Sequence, residues 1–165
     1  MFPVDLLQKA ERLVEQCRAR KLKIVSAESC TGGLVGGLIT SIAGSSHVFE
    51  RGFVTYSNEA KHESLGVAEA LLAKYGAVSA EVARAMAEGA LAHSRAAIAV
   101  SVTGIAGPGG GSPGKPVGLV HFAYGHAGAI KTREERFGDQ GRAEVRLISV
   151  VTAIDLLLSA VQVAP

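Results

Sequence analysis

Apolar positions follow two repeating patterns along the chain, and each pattern predicts one kind of secondary structure. Apolar residues spaced three and four apart predict helices over 3–20, 34–42, 58–65, 68–75, 80–93 and 142–161. Alternating or continuous apolar runs predict strands over 22–25, 48–56, 96–102, 117–124 and 130–137. Strands that alternate with helices, followed by a late hairpin, predict an α/β domain or an α+β variant. We expect a three-layer sandwich in which a mixed sheet has helices on both faces.

Caps and turn residues mark where several of these elements begin and end. Ser57 and Ser79 are predicted to cap the helices that follow them, and Gly66 is predicted to end the first of those helices. The segment 103–116 is rich in Gly and Pro and predicts a loop, while 125–129 predicts the turn of the hairpin. No internal repeat or linker interrupts the pattern, so residues 1–165 are expected to form a single domain.

Composition and charge narrow the classes of partner. Seventeen basic and fifteen acidic residues give a net charge of +2, and the chain has no Trp, which argues against nucleic-acid binding. No apolar run reaches membrane-spanning length, and the two cysteines do not suggest a disulfide framework. The five histidines fall at no zinc spacing. We expect a cytoplasmic homo-oligomer that needs no metal or cofactor and binds neither nucleic acid nor membranes.

A stretch of small and hydroxyl-bearing residues joins the first predicted strand to the second predicted helix. Ser29 is the candidate nucleophile here, because free N–H groups at a helix N-terminus stabilise an alkoxide or an oxyanion. Cys30 is a second candidate, since a thiol in this position ionises more easily. The alternative is that Ser29, Cys30 and Thr31 only cap the helix. In that case Gly32 and Gly33 serve close packing.

Two possible proton carriers follow the second predicted strand. Tyr56 ends that strand, and Lys61 lies in the first turn of the next helix, where the helix dipole and burial both disfavour the ammonium form. Their ordinary pKa values are about 10 and about 10.4, so a base at neutral pH needs an environment that lowers them. Carboxyl ends of parallel strands meet at one rim, where we expect Ser29, Tyr56 and Thr103 to converge.

Two further elements are candidates for binding a phosphate. The glycine-rich loop can present successive N–H groups, with Lys115 close to its end, but it lacks a Walker A pattern and also suits a plain strand connection. Arg142 and Arg146 lie one turn apart at the start of the last helix. They can pair with a phosphate or with neighbouring acidic side chains.

Four motifs stand in order along the chain: AESCTGG at 27–33, FERGFVTYSNEAK at 49–61, GAVS at 76–79 and TGIAGPGGGS at 103–112. They resemble the C-terminal domain family of the competence-damage-inducible protein CinA, over nearly the whole chain. Stand-alone members of that family include nicotinamide-nucleotide amidases. The resemblance implies hydrolysis of the carboxamide of nicotinamide mononucleotide, in pyridine-nucleotide salvage, with Ser29, Tyr56 and Lys61 in catalysis.

The resulting hypothesis gives each part of the site a role. Ser29 attacks the carboxamide, Lys61 with Tyr56 takes its proton, and N–H groups over 30–33 hold the oxyanion. The residues expected to bind the nucleotide are Cys30, Thr31, Gly32, Gly33, Thr103, Gly104, Gly107, Arg142 and Arg146. Which arginine takes the phosphate stays open, because the usual G-D-R of the family reads GDQGR here. The alternatives are a catalytically silent nucleotide-binding or assembly domain and a general small-amide hydrolase.

Overall fold

The computed structural model describes residues 1–165, and its five strands form one sheet. The strands are β1 Ile24–Glu28, β2 Phe49–Val54, β3 Ile98–Gly104, β4 Leu119–His126 and β5 Ala129–Arg136. Their order is β2-β1-β3-β4-β5. The strand β1 runs parallel to β2 and β3, whereas β4 runs antiparallel to β3 and β5. The predicted mixed sheet is therefore confirmed.

Helices cover both faces of this sheet. They are α1 Val4–Ala19, α2 Leu34–Thr40, α3 Asn58–Leu65, α4 Glu69–Tyr75, α5 Ala80–Ala92 and α6 Arg142–Val163. One core cluster joins α1, α2 and α6 to the sheet, and a second joins α3, α4 and α5. Successive residues of β3 alternate between them, with Ile98 and Val100 in the first cluster and Ala99 in the second. The predicted three-layer α/β arrangement is confirmed.

The helix α3 is fixed at both ends and along its length. Ser57 caps it by accepting from the Ala60 amide at 3.0 Å, and Gly66 ends it with a φ of +69°. A Cβ at Gly89 of α5 would overlap the carbonyl oxygen of Leu65, so this glycine allows the two helices to approach closely. The predicted capping by Ser57 and Ser79 is confirmed. No helix combines the length and apolar character needed to span a membrane.

Several predicted boundaries differ from the structure; for example, β2 ends at Val54 and not at Tyr56. The first strand continues through Ser26 to Glu28 instead of ending at Val25, because both polar side chains are buried and hydrogen-bonded to each other. The hairpin turn contains only Ala127 and Gly128, not the five residues 125–129. The glycine-rich segment lies outside regular structure from Ile105 to Gly118.

Candidate active site

The carboxyl ends of the three parallel strands form one rim, as expected. The Ser29 amide, directly after β1, donates to the carbonyl of Val102 in β3 at 2.9 Å. The Thr55 amide, directly after β2, donates to the carbonyl of Glu28 at 2.9 Å. These bonds extend the sheet by one residue on each side, so the residues that follow begin from fixed positions.

Ser29 and Lys61 meet at this rim, 32 positions apart in the sequence. The Lys61 Nζ lies 3.1 Å from the Ser29 Oγ and 2.9 Å from the carbonyl oxygen of Thr55. The carbonyl oxygens of Tyr56 and Ser57 lie 3.5 Å from the same nitrogen. Lys61 is 1% exposed, and this burial lowers the pKa of its amine. A neutral amine here can donate to Thr55 and accept the Ser29 proton, which is the geometry of a general base.

A buried carboxylate that sequence reasoning missed holds the loop after Ser29. Glu28 is 1% exposed. It accepts hydrogen bonds from the Thr31 hydroxyl at 2.7 Å, the Ser26 hydroxyl at 3.2 Å, and the amides of Gly33 at 3.0 Å, Val35 at 3.0 Å and Gly36 at 2.9 Å. The carboxylate therefore satisfies the N-terminal amides of α2. The alternative that Ser29, Cys30 and Thr31 cap this helix was wrong, because α2 begins only at Leu34.

Only two of the four predicted oxyanion amides are free. The Gly32 amide donates to the Ser29 carbonyl at 3.0 Å, and the Gly33 amide donates to Glu28. The amides of Cys30 and Thr31 donate to no backbone or side-chain oxygen. Burial raises the pKa of the Cys30 thiol to about 12, so this thiol is protonated near neutral pH.

Tyr56 lies on the rim but does not reach Ser29. Its hydroxyl accepts from the Arg142 Nη2 at 2.7 Å, and its side chain is 59% exposed. No hydrogen bond joins the phenol to Ser29 or Lys61, so the geometry lacks the predicted proton path through Tyr56. The reason is that β2 ends at Val54, and the chain has turned outward by Tyr56.

The structure separates the two arginines that the sequence left equivalent. Arg142 is exposed, and its Nη1 donates to the Gly107 carbonyl at 3.0 Å. It thus connects the segments after β2 and β3, across the end of β1 that lies between them. Arg146 instead donates from Nε to the Cys30 carbonyl and from Nη2 to the Thr31 carbonyl, each at 3.1 Å.

Three other predicted ligands have structural partners instead. The Thr103 hydroxyl is buried and donates to the Ala77 carbonyl at 2.8 Å. A Cβ at Gly104 would lie 2.7 Å from a methyl group of Val120, so this glycine serves the contact between β3 and β4. Lys115 donates to the Tyr75 carbonyl at 2.6 Å. The side chains of Thr103 and Lys115 thus have backbone partners, and Gly104 has a packing role. No three His, Cys, Asp or Glu side chains group where they could hold a metal ion.

We expect Glu28→Gln to destabilise the fold by about 2–3 kcal/mol, because a neutral amide replaces a buried charged acceptor and turns an NH₂ group toward backbone donors. Urea denaturation followed by circular dichroism measures the change. The exposed Glu63→Gln is the matched control and should change stability by less than about 0.5 kcal/mol. Equal stability of the two variants would contradict this anchoring role.

The comparisons with known proteins agree with the fold and the motifs. The model of the CinA C-terminal domain matches residues 7–161. A crystal structure of a competence/damage inducible protein from Agrobacterium tumefaciens superposes with a TM-score of 0.95 at 52% identity, covering 97% of this chain and 98% of that one.

Curated relatives differ in length. The nicotinamide-nucleotide amidohydrolase PncC of Escherichia coli is 55% identical over 142 residues, which cover 85% of this chain and 86% of that protein. A CinA-like protein of Citrifermentans bemidjiense is 51% identical over 158 residues, but the chain spans only 38% of its length. Family model, relatives and solved structure all agree, and the chain belongs to the CinA C-terminal domain family.

Proposed function

We propose that this chain hydrolyses the carboxamide of nicotinamide mononucleotide to nicotinate mononucleotide and ammonia, as a step of pyridine-nucleotide salvage. The observation that carries the proposal is the buried pair of Lys61 Nζ and Ser29 Oγ, 3.1 Å apart. The alignment with the E. coli relative covers most of both chains, and the name of that relative supports the choice of substrate.

In the proposed first half-reaction, neutral Lys61 accepts the hydroxyl proton while Ser29 Oγ bonds to the carboxamide carbon. The free amides of Cys30 and Thr31 hold the negative oxygen of the tetrahedral intermediate. Lys61 then delivers its proton to the leaving nitrogen, the C–N bond breaks, and ammonia departs. In the second half-reaction, Lys61 takes a proton from water, the hydroxide attacks the ester, and Ser29 recovers its proton from Lys61.

Arg142 and Tyr56 are the proposed contacts for the phosphate end of the nucleotide. Arg142 is an exposed cation that spans the rim above β1, with the Tyr56 hydroxyl 2.7 Å from its Nη2. A guanidinium matches a phosphate in charge and geometry. Tyr56 then orients Arg142 and carries no proton, which replaces the role that the sequence suggested for it.

We expect Arg142→Met to raise KM for nicotinamide mononucleotide about 10- to 100-fold, the range for losing charge-assisted hydrogen bonds. Nicotinamide riboside lacks the phosphate, so its turnover should respond weakly to the same substitution.

Tyr56→Phe should also raise KM and leave kcat within about threefold. A fall in kcat with an unchanged KM for Tyr56→Phe would restore Tyr56 as a proton carrier. Steady-state kinetics with both substrates gives the answer.

Ammonia release from nicotinamide mononucleotide tests the proposed activity itself. We expect the wild-type chain to release ammonia and to turn over nicotinamide alone poorly. Tight binding of the nucleotide without ammonia release would favour the silent binding domain. Equal turnover of amides with and without a phosphate would favour a general amide hydrolase.

A further inference from the structure

We propose that Arg146 is a positioning residue that shapes the oxyanion site of the Ser29 loop and does not bind the substrate phosphate. This inference rests on the proposed function, since the oxyanion belongs to that reaction. Two nitrogens of the Arg146 guanidinium donate to the carbonyl oxygens of Cys30 and Thr31 at 3.1 Å. Two of the three guanidinium nitrogens of Arg146 therefore bind the loop that follows Ser29.

Peptide geometry connects these two contacts to the free amides. A trans peptide points its C=O and its N–H in opposite directions. Because Arg146 binds the Cys30 carbonyl, the Thr31 amide of the same peptide points away from the guanidinium, and it meets no protein acceptor. The next peptide is fixed in the same way, since Arg146 binds the Thr31 carbonyl while the Gly32 amide donates to the Ser29 carbonyl. Arg146 therefore keeps one unpartnered donor, the Thr31 amide, turned away from the guanidinium.

Glu28 holds the same loop through different atoms. The Thr31 hydroxyl donates to Glu28 at 2.7 Å, while the Thr31 carbonyl accepts from Arg146. Rotating the peptide between Cys30 and Thr31 would break the contact with Arg146. Gly32 adopts a φ of +59°, and a Cβ there would lie 3.4 Å from the Arg146 Nη2. The guanidinium therefore packs against Gly32, whose conformation other residues rarely adopt.

The backbone of Arg146 lies in a part of α6 that is packed in the core. The neighbouring Val145 and the following Ser149 and Val150 are fully buried in α6. Arg142, one turn earlier on α6, is exposed and donates hydrogen bonds to the Tyr56 hydroxyl and the Gly107 carbonyl. The two arginines thus have different roles, and the difference predicts opposite kinetic effects.

Steady-state kinetics of Arg146→Met tests the assignment. We expect kcat for nicotinamide mononucleotide to fall about 10²-fold, as for the loss of one oxyanion donor, with KM within about threefold. Arg146→Lys should recover little of the rate, because one ammonium cannot reproduce the fork that binds two carbonyl groups. Arg12→Met, at an exposed position of α1, is the matched control and should keep both constants. A raised KM with an unchanged kcat, or full rescue by lysine, would overturn the proposal.

Hydrogen exchange of the peptide that covers residues 29–33 provides a readout that needs no turnover. We expect faster exchange in Arg146→Met and in Arg146→Lys than in the wild type or in Arg12→Met, because the loop loses a restraint. Unchanged exchange in the folded variants would overturn the positioning role. Absence of ammonia release from the wild type would instead contradict the proposed function, and the exchange result would still decide whether Arg146 orders the loop. If Arg146→Met does not fold, the kinetic and the hydrogen-exchange measurements are both made on Arg146→Lys.

Discussion

Replacing Ser29 by alanine is expected to lower kcat for ammonia release by a factor of about 10⁴ or more, because the reaction loses the atom that bonds to the carboxamide carbon. The fold should persist, since the Ser29 hydroxyl makes a hydrogen bond only to Lys61. Binding of the nucleotide should persist as well, because its proposed contact at Arg142 is intact. An ammonia assay and isothermal titration calorimetry measure the two quantities.

The matched control for this variant is Ser159→Ala, which removes an exposed hydroxyl from the far part of α6. We expect wild-type turnover from the control. Substantial ammonia release by a folded Ser29→Ala protein would contradict the nucleophile assignment and require another group to attack the carboxamide.

Lys61→Met is expected to lower kcat by a factor of about 10⁴, the upper end of the range for general acid–base catalysis. The effect is large because the same amine serves both half-reactions. Methionine keeps much of the side-chain length but cannot accept the Ser29 proton. Retention of more than about a tenth of the wild-type kcat in a folded variant would contradict the role of Lys61 as the base.

The burial of Lys61 also predicts how kcat/KM depends on pH. In the wild type, kcat/KM should rise with pH as Lys61 loses its proton, and should level off below the ordinary lysine pKa of about 10.4. A rate that keeps rising through pH 10.4 would contradict the lowered pKa. A matched profile of Tyr56→Phe should show the same plateau, because the proposed proton path does not include the phenol.

The lowered pKa of Lys61 should also make the free energy of unfolding depend on pH. The folded protein binds fewer protons at Lys61 than the unfolded chain between the lowered folded pKa and about 10.4. The unfolding free energy of the wild type relative to Lys61→Met should therefore rise with pH across this window and be constant below the folded pKa. Urea titrations at several pH values measure the difference. A difference that stays constant across the window would contradict the linkage.

The elements with a strong local signal could be predicted from the sequence. The helical spacing and the capping residue Ser57 predicted where α3 begins. Because α3 follows a strand, Lys61 in its first turn was expected near the strand ends. Strand-forming runs that alternate with helices predicted the parallel part of the sheet. The rule that such strand ends meet at one rim predicted that Ser29, Tyr56 and Thr103 converge. The hydroxyls of Tyr56 and Thr103 have other partners, and it is Lys61 that reaches Ser29.

The parts that depend on tertiary contacts could not be predicted in this way. Arg142 and Arg146 lie on one side of a single helix, and only the packing of α6 decides that one faces the rim and the other the Ser29 loop. Thr103 was predicted from its place after a strand, but its hydroxyl is used by the Ala77 carbonyl. Glu28 carried a weak signal, an acidic residue at the end of an apolar run just before a helix. Its buried carboxylate is favourable only because five donors surround it.

Mass spectrometry of protein quenched during turnover of nicotinamide mononucleotide tests the central claim most directly. We expect a covalent adduct equal to the substrate minus ammonia, carried by the tryptic peptide 24–51 and assigned by fragmentation to Ser29. The adduct should be absent from Ser29→Ala. An adduct on a different residue, or a Ser29→Ala protein that still forms one and releases ammonia, would contradict Ser29 as the nucleophile of this site.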